Sequence, residues 1–249
     1  PRMVTLQRVG DSPLVASLYH LPQAASADFA AVMMLTDILG NTPNGRLYKA
    51  LVEKKLAARA GEFALGLHDP GYGGSFAMLE KTQSADAAIQ TMLETVEGVA
   101  REPVTETELK RAQASYLNGF EKMMNDPAQF GIRLSESIAE GDWRLLFILR
   151  DRVAAVTVAD VQRVAGAYFK ESNRTLGRFI PTQNPDRATM PPSVDVAALV
   201  ANYQGKKAVA AGEAFDPSPA NIEKHSKRLA LPGGMQVIEL AKQTRGNTV

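Results

Sequence analysis

The sequence predicts an α+β fold, in which a mostly antiparallel sheet carries helices packed on one of its faces. Runs rich in β-formers occupy both ends of the segment 1–182. Between them, from Ser84 onward, about ninety residues place apolar side chains at helical spacing. Strands and helices that are segregated along the chain are typical of α+β domains rather than of alternating α/β folds. We therefore predict one α+β domain over residues 1–182.

The first two strands are predicted over Met3–Val9 and Leu14–Leu21, where β-branched and aromatic residues are frequent. The turn cluster Gly10–Pro13 lies between them and predicts an antiparallel hairpin. Pro22 ends the second strand because it has no N–H to donate to a strand ladder.

Two helices are predicted next. Asp28 is the expected N-cap of the first helix, since a short carboxylate there can accept from free backbone N–H groups. The second helix is shorter, running from Arg46 to about Lys55, and is expected to bury Leu47 and Leu51.

A second pair of strands is predicted over Ala58–Leu67 and Gly74–Thr82, joined by the turn-forming segment His68–Gly73. The glycines of Gly71–Gly74 could suggest a phosphate-binding loop. However, they lead into a strand, and neither a Gly-Lys-Ser/Thr sequence nor a helix N-terminus follows. A hairpin turn is the interpretation we adopt.

The long helical region is divided by recognisable start signals. Thr105–Glu108 has the pattern of a capping box, and Asp126 precedes a proline at the first helical position. Asp142 and Thr157 are expected to open two further helices. The segment Thr175–Ile180 then returns as the last strand of the domain.

Composition excludes several classes of protein. The 249 residues include 28 basic and 27 acidic side chains, a net charge of +1, which does not suggest a protein that binds nucleic acid. There is no cysteine, so disulfides, thiolate metal sites and cysteine nucleophiles are excluded. No apolar run approaches the roughly 18 residues of a membrane span, and no signal segment opens the sequence. The chain begins at Pro1, and we interpret it as a piece of a longer protein.

Beyond residue 182 the composition changes. Residues 183–226 are rich in proline and alanine and predict an extended arm that lies along a folded surface. Residues 227–249 contain a strand–turn–strand pattern and are interpreted as the opening hairpin of a following, truncated module.

Four segments, in this order, resemble a known family. The stretch Asn44–Ala57 resembles the helix with the pattern SRLYxxLREKxGLAY in the second domain of insulinase/pitrilysin-type zinc metallopeptidases. Asn173–Thr182 is similar to the strand that closes that domain. Phe215–Glu223 and Leu231–Met235 are similar to the join between the two halves of the double-length bacterial members.

The resemblance implies a non-catalytic second module with its joining arm, folded like a module of mitochondrial processing peptidase. Such proteins hold four related modules around a peptide-cleaving chamber. The implied partners are the catalytic zinc module of the same parent chain and a peptide or unfolded-protein substrate. Zinc is expected in that catalytic module, on a His-x-x-Glu-His helix whose glutamate activates water. A bacterial periplasm or cytoplasm is the implied location.

The sequence departs from the catalytic pattern in two respects. His20, His68 and His225 are the three histidines, and no two are close enough to share a helix face. When the helix pattern is aligned on Glu53-Lys54, the position of the supporting arginine holds Val52, and that of the tyrosine falls at about Ala58; neither side chain can donate a hydrogen bond. We therefore predict no catalytic residue, no metal ligand and no cofactor in this chain, and substrate-binding residues are unknown.

Two polar residues near this pattern have structural interpretations. Arg46 is expected to be a surface cation and Tyr48 a packed aromatic of the helix. The leading hypothesis is an inactive module that forms a wall of the substrate chamber and contributes to peptide binding by the full-length endopeptidase. The alternative is a structural or interaction protein of the same fold without peptidase activity, like the core subunits of a respiratory complex.

Overall fold

A computed structural model of the chain describes residues 2–205, 212–243 and 245. Contacts between Cα atoms divide the chain into two compact units, Pro1–Arg187 and Ala188–Val249. The predicted boundaries after residues 182 and 226 stay predictions.

The first unit combines a sheet with helices in the predicted α+β arrangement. Its described strands are β1 Arg2–Arg8, β2 Leu14–Leu21, β3 Arg59–Ala64, β4 Gly71–Met78 and β5 Arg174–Pro181. Its described α-helices are α1 Phe29–Gly40, α2 Ala85–Glu97, α3 Glu106–Met124, α4 Pro127–Ala139, α5 Leu145–Ala155 and α6 Val158–Tyr168. A π-helical turn, Tyr48–Val52, and two short 3₁₀ turns, Gly98–Ala100 and Glu171–Asn173, complete the list.

The sheet has the strand order β1-β5-β2-β4-β3. Strand β1 is parallel to β5, and the other neighbouring pairs are antiparallel. The predicted hairpin between β1 and β2 is therefore wrong, because β5 lies between these strands. The linker through Gly10–Pro13 has only to cross two strand spacings, about 10 Å, which a few residues span easily. From the length of this linker alone, a hairpin cannot be distinguished from two strands that have a third strand between them.

One face of the sheet is covered by helices. Along β2 the side chains of Val15, Ser17, Tyr19 and Leu21 are buried, and those between them are partly or fully exposed. This alternation is expected for a sheet with one covered face. The core formed there takes residues from α1, α2, α3, α5 and α6.

The predicted turn over His68–Gly73 is too long, because β4 already begins at Gly71. Gly71, Gly73 and Gly74 all lie in the strand, where each is buried. A Cβ atom on Gly74 would collide with the main-chain carbonyl oxygen of Ser17 in β2. The glycines are thus required by the close approach of neighbouring backbones.

The helix starts follow the predicted capping signals in three cases. Thr105 and Thr157 form complete capping boxes, and both the Ala128 and Gln129 N–H groups donate to Asp126.

Asp28 directly precedes α1, as predicted, but without the expected cap hydrogen bond, and the start predicted at Asp142 differs from the structure. Asp28 itself has helical backbone angles and makes no cap hydrogen bond; its carboxylate accepts from the Tyr168 hydroxyl and pairs with Arg163. Asp142 lies before α5, where it accepts from the backbone and side chain of Arg144.

The second unit contains little regular structure. Its described elements are helices α7 Val196–Val200 and α8 Pro219–His225 and strands β6 Ser226–Ala230 and β7 Gln236–Leu240. The two strands pair antiparallel, as the strand–turn–strand pattern predicts. Among the helices that the structure describes in both units, none is long and apolar enough to cross a membrane.

Candidate functional site

The segment that resembles the peptidase helix folds as a short helical turn held by buried leucines. Leu47 and Leu51 are both completely buried, as predicted. The aligned arginine position, Val52, packs against the core, and the aligned tyrosine position, Ala58, is exposed just before β3. The side chains at both positions present only methyl groups. They cannot stabilise the negative charge that develops on a carbonyl oxygen during peptide hydrolysis.

Arg46 is a structural clamp, so its prediction as a surface cation is wrong. Its Nε and Nη2 atoms donate to the two carboxylate oxygens of Glu108 at 2.8 and 2.9 Å. Its remaining donors reach the carbonyl oxygens of Glu102 and Pro103, each at 3.0 Å. This pairing and the Thr105 capping box lower the pKa of Glu108 to about 2. The clamp therefore joins the helical turn to the start of α3.

The histidines occupy separate positions. His20 is an exposed residue of β2, and His68 lies in the loop before β4 with most of its side chain in solvent. His225 ends α8, where its Nδ1 atom lies 2.8 Å from the Asn221 carbonyl oxygen. Within the described ranges, no three His, Asp or Glu side chains come together in a way that could hold a metal ion. The residues present do not fit a zinc centre.

A buried polar network joins α2 to the sheet. The Tyr19 hydroxyl donates to Glu97 at 3.0 Å, and Arg174 pairs with the same carboxylate. Burial is the main cause that raises the pKa of Tyr19, and the nearby charge of Glu97 adds to it. The Tyr19 ring also packs on Phe169 with ring centres 5.2 Å apart. Sequence reasoning missed this network because its members are 77 and 78 residues apart.

A second polar row crosses three strands beneath the helices. Ser17, Ser75 and Glu62 are directly opposite one another in β2, β4 and β3. The Ser75 hydroxyl donates to Glu62 Oε2, whereas Glu62 Oε1 and Ser17 Oγ are buried without a hydrogen-bond partner. Burial raises the pKa of the Glu62 carboxyl to about 8. The sequence alone did not predict this row, because its three residues are brought together only by the pairing register of three strands.

The opposite face of the sheet is apolar and only partly covered. We call it the open sheet face, and define it by its large apolar side chains, Val4, Leu6, Leu14, Leu18, Phe63, Tyr72, Phe76, Met78 and Phe179. In β1 and β4, Val4, Leu6 and Tyr72 are each close to half exposed. The Phe76 ring lies against the backbone of Gly61, where a Cβ atom would be only 2.9 Å from it. The Phe76 ring is thus packed closely on glycine backbone.

Among the described strands, one edge of this sheet is free. Strand β1 pairs with β5 on one side, and every residue of β1 is exposed. No strand pairs with its outer edge among the residues that the structure describes. The edge at β3 differs, because Gly40 of α1 packs directly against the Glu62 backbone. An extended segment could therefore pair with β1, where backbone N–H and C=O groups are available.

Comparisons with known proteins agree with this geometry. The sequence profile described as the inactive domain of peptidase M16 matches residues 2–116. A putative zinc protease from Bordetella pertussis Tohama I is 43% identical, with 69% of this chain and 96% of that chain covered and a TM-score of 0.65. This chain belongs to the M16 inactive-domain family. The matched range includes both Val52 and Ala58.

Further structures are similar to this M16 inactive domain. The inactive peptidase domain of a putative zinc protease from Bordetella parapertussis is 44% identical, covering 74% of this chain and 99% of that chain, with a TM-score of 0.66. A protease from Helicobacter pylori shares the fold at 22% identity and a TM-score of 0.68, with 72% of this chain and 44% of that chain covered. No curated protein sequence matches the chain.

Proposed function

We propose that this M16 inactive domain forms a wall of the peptide-binding chamber in a larger zinc-dependent endopeptidase. The open sheet face, next to the free edge of β1, is the observation that carries the proposal. Unfolded peptides expose apolar side chains and unpaired backbone groups together. A partly exposed apolar sheet with a free edge can bind both, because a peptide can extend the sheet while its side chains contact the face.

The chemistry of hydrolysis is assigned to another module of the parent protein. Val52 and Ala58 offer no oxyanion donors, and the described residues hold no cluster that fits zinc. Zinc and the water that it activates belong, in this proposal, to the catalytic module. The contribution of this chain is to orient the substrate and to exclude bulk water from the chamber.

The experiment uses the parent protein with zinc and fluorescein-labelled casein as an unfolded substrate. Leu6→Asp places a charge on the open sheet face, and Ile132→Asp places one at a similarly exposed apolar site on α4. We expect Leu6→Asp to raise KM about five-fold or more with kcat unchanged, because it weakens binding without touching the reacting groups. Ile132→Asp should leave both constants near their wild-type values. Equal effects of the two substitutions would contradict the role of the face.

A second measurement tests where the chemistry resides. The isolated chain, incubated with zinc, should not cleave casein. Peptidase activity that the isolated chain keeps after exhaustive chelation would overturn the proposal. A parent protein that binds no zinc and cleaves nothing would instead favour the structural or interaction role.

A further inference from the structure

The open sheet face carries charged side chains of one sign. On the described strands these are Arg2 and Arg8 of β1 and Arg59 of β3, and each is exposed. No aspartate or glutamate lies on this face of the described strands. The acidic residues that next follow β1 and β4 along the chain, Asp11 and Glu80, lie in loops. The face thus combines a partly exposed apolar surface with positive charges on its two edge strands.

The covered face of the same sheet has a different charge pattern. Two arginines of β5 point to that side, and both are paired: Arg174 with Glu97 and Arg178 with Asp86. Acidic side chains of α2 therefore compensate the positive charges on the covered face. On the open sheet face the described residues supply no such compensation.

The guanidinium groups of the open sheet face retain unused donors. Arg8 Nη1 donates to the carbonyl oxygen of the adjacent Gln7 at 2.7 Å. The Arg59 guanidinium lies 6.0 Å from the centre of the Phe76 ring, a contact that holds the cation over the apolar face. Among the described residues, neither these two arginines nor Arg2 pairs with a carboxylate. Because a guanidinium group has five N–H donors in a fork that matches a carboxylate, a ligand that brings carboxylates would complement this face.

The geometry of β1 fixes the spacing of such carboxylates. Arg2, Val4, Leu6 and Arg8 share the open sheet face, and the two apolar side chains are each about half exposed. The two arginines are separated by six strand residues, about 20 Å. A peptide that pairs with the outer edge of β1 places every second side chain on the same face. Along the peptide, those side chains lie next to an arginine, two apolar residues and a second arginine.

We propose that the open sheet face binds extended peptides in which two acidic residues flank an apolar pair, with the acidic residues at positions i and i+6 and the apolar residues at i+2 and i+4. This inference rests on the proposed function, since it names the substrate class of the same surface. The peptide carboxylates contact Arg2 and Arg8, and the apolar side chains contact Val4 and Leu6. The pattern is symmetric, so it fits a peptide that runs parallel or antiparallel to β1.

Fluorescence anisotropy with the full chain and short labelled peptides tests the charge preference. The probe is the amidated peptide Ser-Glu-Thr-Val-Thr-Leu-Thr-Glu-Ser with fluorescein at its N-terminus, and in two matched peptides both glutamates are replaced by glutamine or by lysine. An exposed ion pair changes affinity about two- to five-fold, so we expect the glutamate peptide to bind about five-fold or more tightly than the glutamine peptide, and the lysine peptide to bind most weakly. Raising the salt concentration from about 50 mM to about 500 mM should remove most of the difference, because salt screens exposed charges.

The outcome separates this inference from the function on which it rests. Equal affinities of the glutamate, glutamine and lysine peptides would overturn the acidic preference and leave peptide binding by the face in place. Failure of all three peptides to bind would contradict both.

A positional isomer of the probe tests the strand geometry. The peptide Ser-Thr-Glu-Val-Thr-Leu-Glu-Thr-Ser has the same composition, but its glutamates alternate with the apolar pair and so lie on the opposite side of an extended chain. We expect it to bind no more tightly than the glutamine peptide. Binding as tight as that of the original peptide would overturn the proposed pattern.

A charge-removing substitution tests the arginines. Arg8→Gln should lower the preference for glutamate over glutamine about two-fold or more, and Arg8→Lys should keep part of it. Arg101→Gln, which removes an exposed arginine at the end of the 3₁₀ turn after α2, is the matched control and should leave the preference unchanged. Circular dichroism spectra should be the same for all variants, since these side chains are exposed. A preference that Arg8→Gln does not reduce would overturn the proposal.

Discussion

Replacing Glu62 by glutamine should make the first unit more stable at alkaline pH. The Glu62 carboxyl lies between the sheet and its covering helices. Its Oε2 atom accepts a hydrogen bond from the Ser75 hydroxyl, and its Oε1 atom has no hydrogen-bond partner. Glutamine keeps the shape of the side chain and accepts the same hydrogen bond, but it cannot ionise. The substitution therefore isolates the cost of a buried negative charge.

The size of the effect follows from proton linkage. Burial raises the pKa of Glu62 from 4.5 to about 8 in the folded chain. Between those pH values the folded state holds a proton that the unfolded state has released, so stability falls as pH rises. At about 1.4 kcal/mol for each pH unit, the complete loss is about 5 kcal/mol above pH 8. Relaxation that admits water to the carboxylate reduces this figure, so we expect about 2–5 kcal/mol.

The assay is urea denaturation followed by the fluorescence of Trp143, the single tryptophan, which lies in the first unit. The free energy of unfolding is measured at pH 5.5, 7 and 8.5 for wild type, Glu62→Gln and Glu80→Gln. Glu62→Gln should exceed wild type by only about 1.4 kcal/mol at pH 5.5 and by increasingly more toward pH 8.5. Glu80 is exposed, so its substitution should give a curve parallel to wild type.

A difference between Glu62→Gln and wild type that does not change with pH would refute the reasoning. It would mean that Glu62 is ionised in the folded chain across this range, with a donor or water compensating Oε1. A loss of stability at every pH would mean that glutamine fails to fit the space.

Three further predictions concern packing and polar contacts. Arg46→Ala should lower the free energy of unfolding by about 2–3 kcal/mol, because Glu108 and two carbonyl oxygens lose their donors. In urea titrations, Arg46→Lys should recover only part of this lost free energy. Gly74→Ala should cost about 3 kcal/mol or more, since its Cβ meets the Ser17 carbonyl oxygen. Gly177→Ala, where the nearest atom is 3.8 Å away, should cost about 1 kcal/mol at most and is the matched strand control in thermal unfolding. Ser17→Ala should be neutral or stabilising by about 1 kcal/mol, because the buried Ser17 hydroxyl has no hydrogen-bond partner. A large loss of stability in the same urea assay would show that this hydroxyl does form a hydrogen bond.

Local chemistry accounts for the features that the sequence could predict. The hydroxyls of Thr105 and Thr157 accept from backbone N–H groups three residues later, so their capping boxes depend only on nearby residues. The burial of Leu47 and Leu51 follows equally from spacing along one helical turn. Such patterns are complete within a few positions of the chain.

Features that depend on strand order could not be predicted in this way. The position of β5 between β1 and β2 joins residues more than 150 positions apart, and no local signal distinguishes it from a hairpin. The same holds for Gly71 and Gly73 of β4, which were predicted in a turn, because the carbonyl oxygens close to them belong to Leu65 and Phe63 on the neighbouring chain segment. The acceptors Glu62 and Glu97 were missed for the same reason, because their burial is a result of tertiary packing. The chemical character of a buried polar group is thus set by partners that the sequence does not place next to it.

The segment after Asn44 is held in place by buried leucines and by one ion pair. Leu47 and Leu51 face the core and hold the turn in place, and Arg46 fixes it to α3 through Glu108. None of these contacts involves Val52 or Ala58. Val52 also packs against the core, so the segment is stabilised there without a side-chain hydrogen-bond donor. Packing of this kind does not depend on whether the side chains can assist catalysis, which is why an inactive domain can stay well packed.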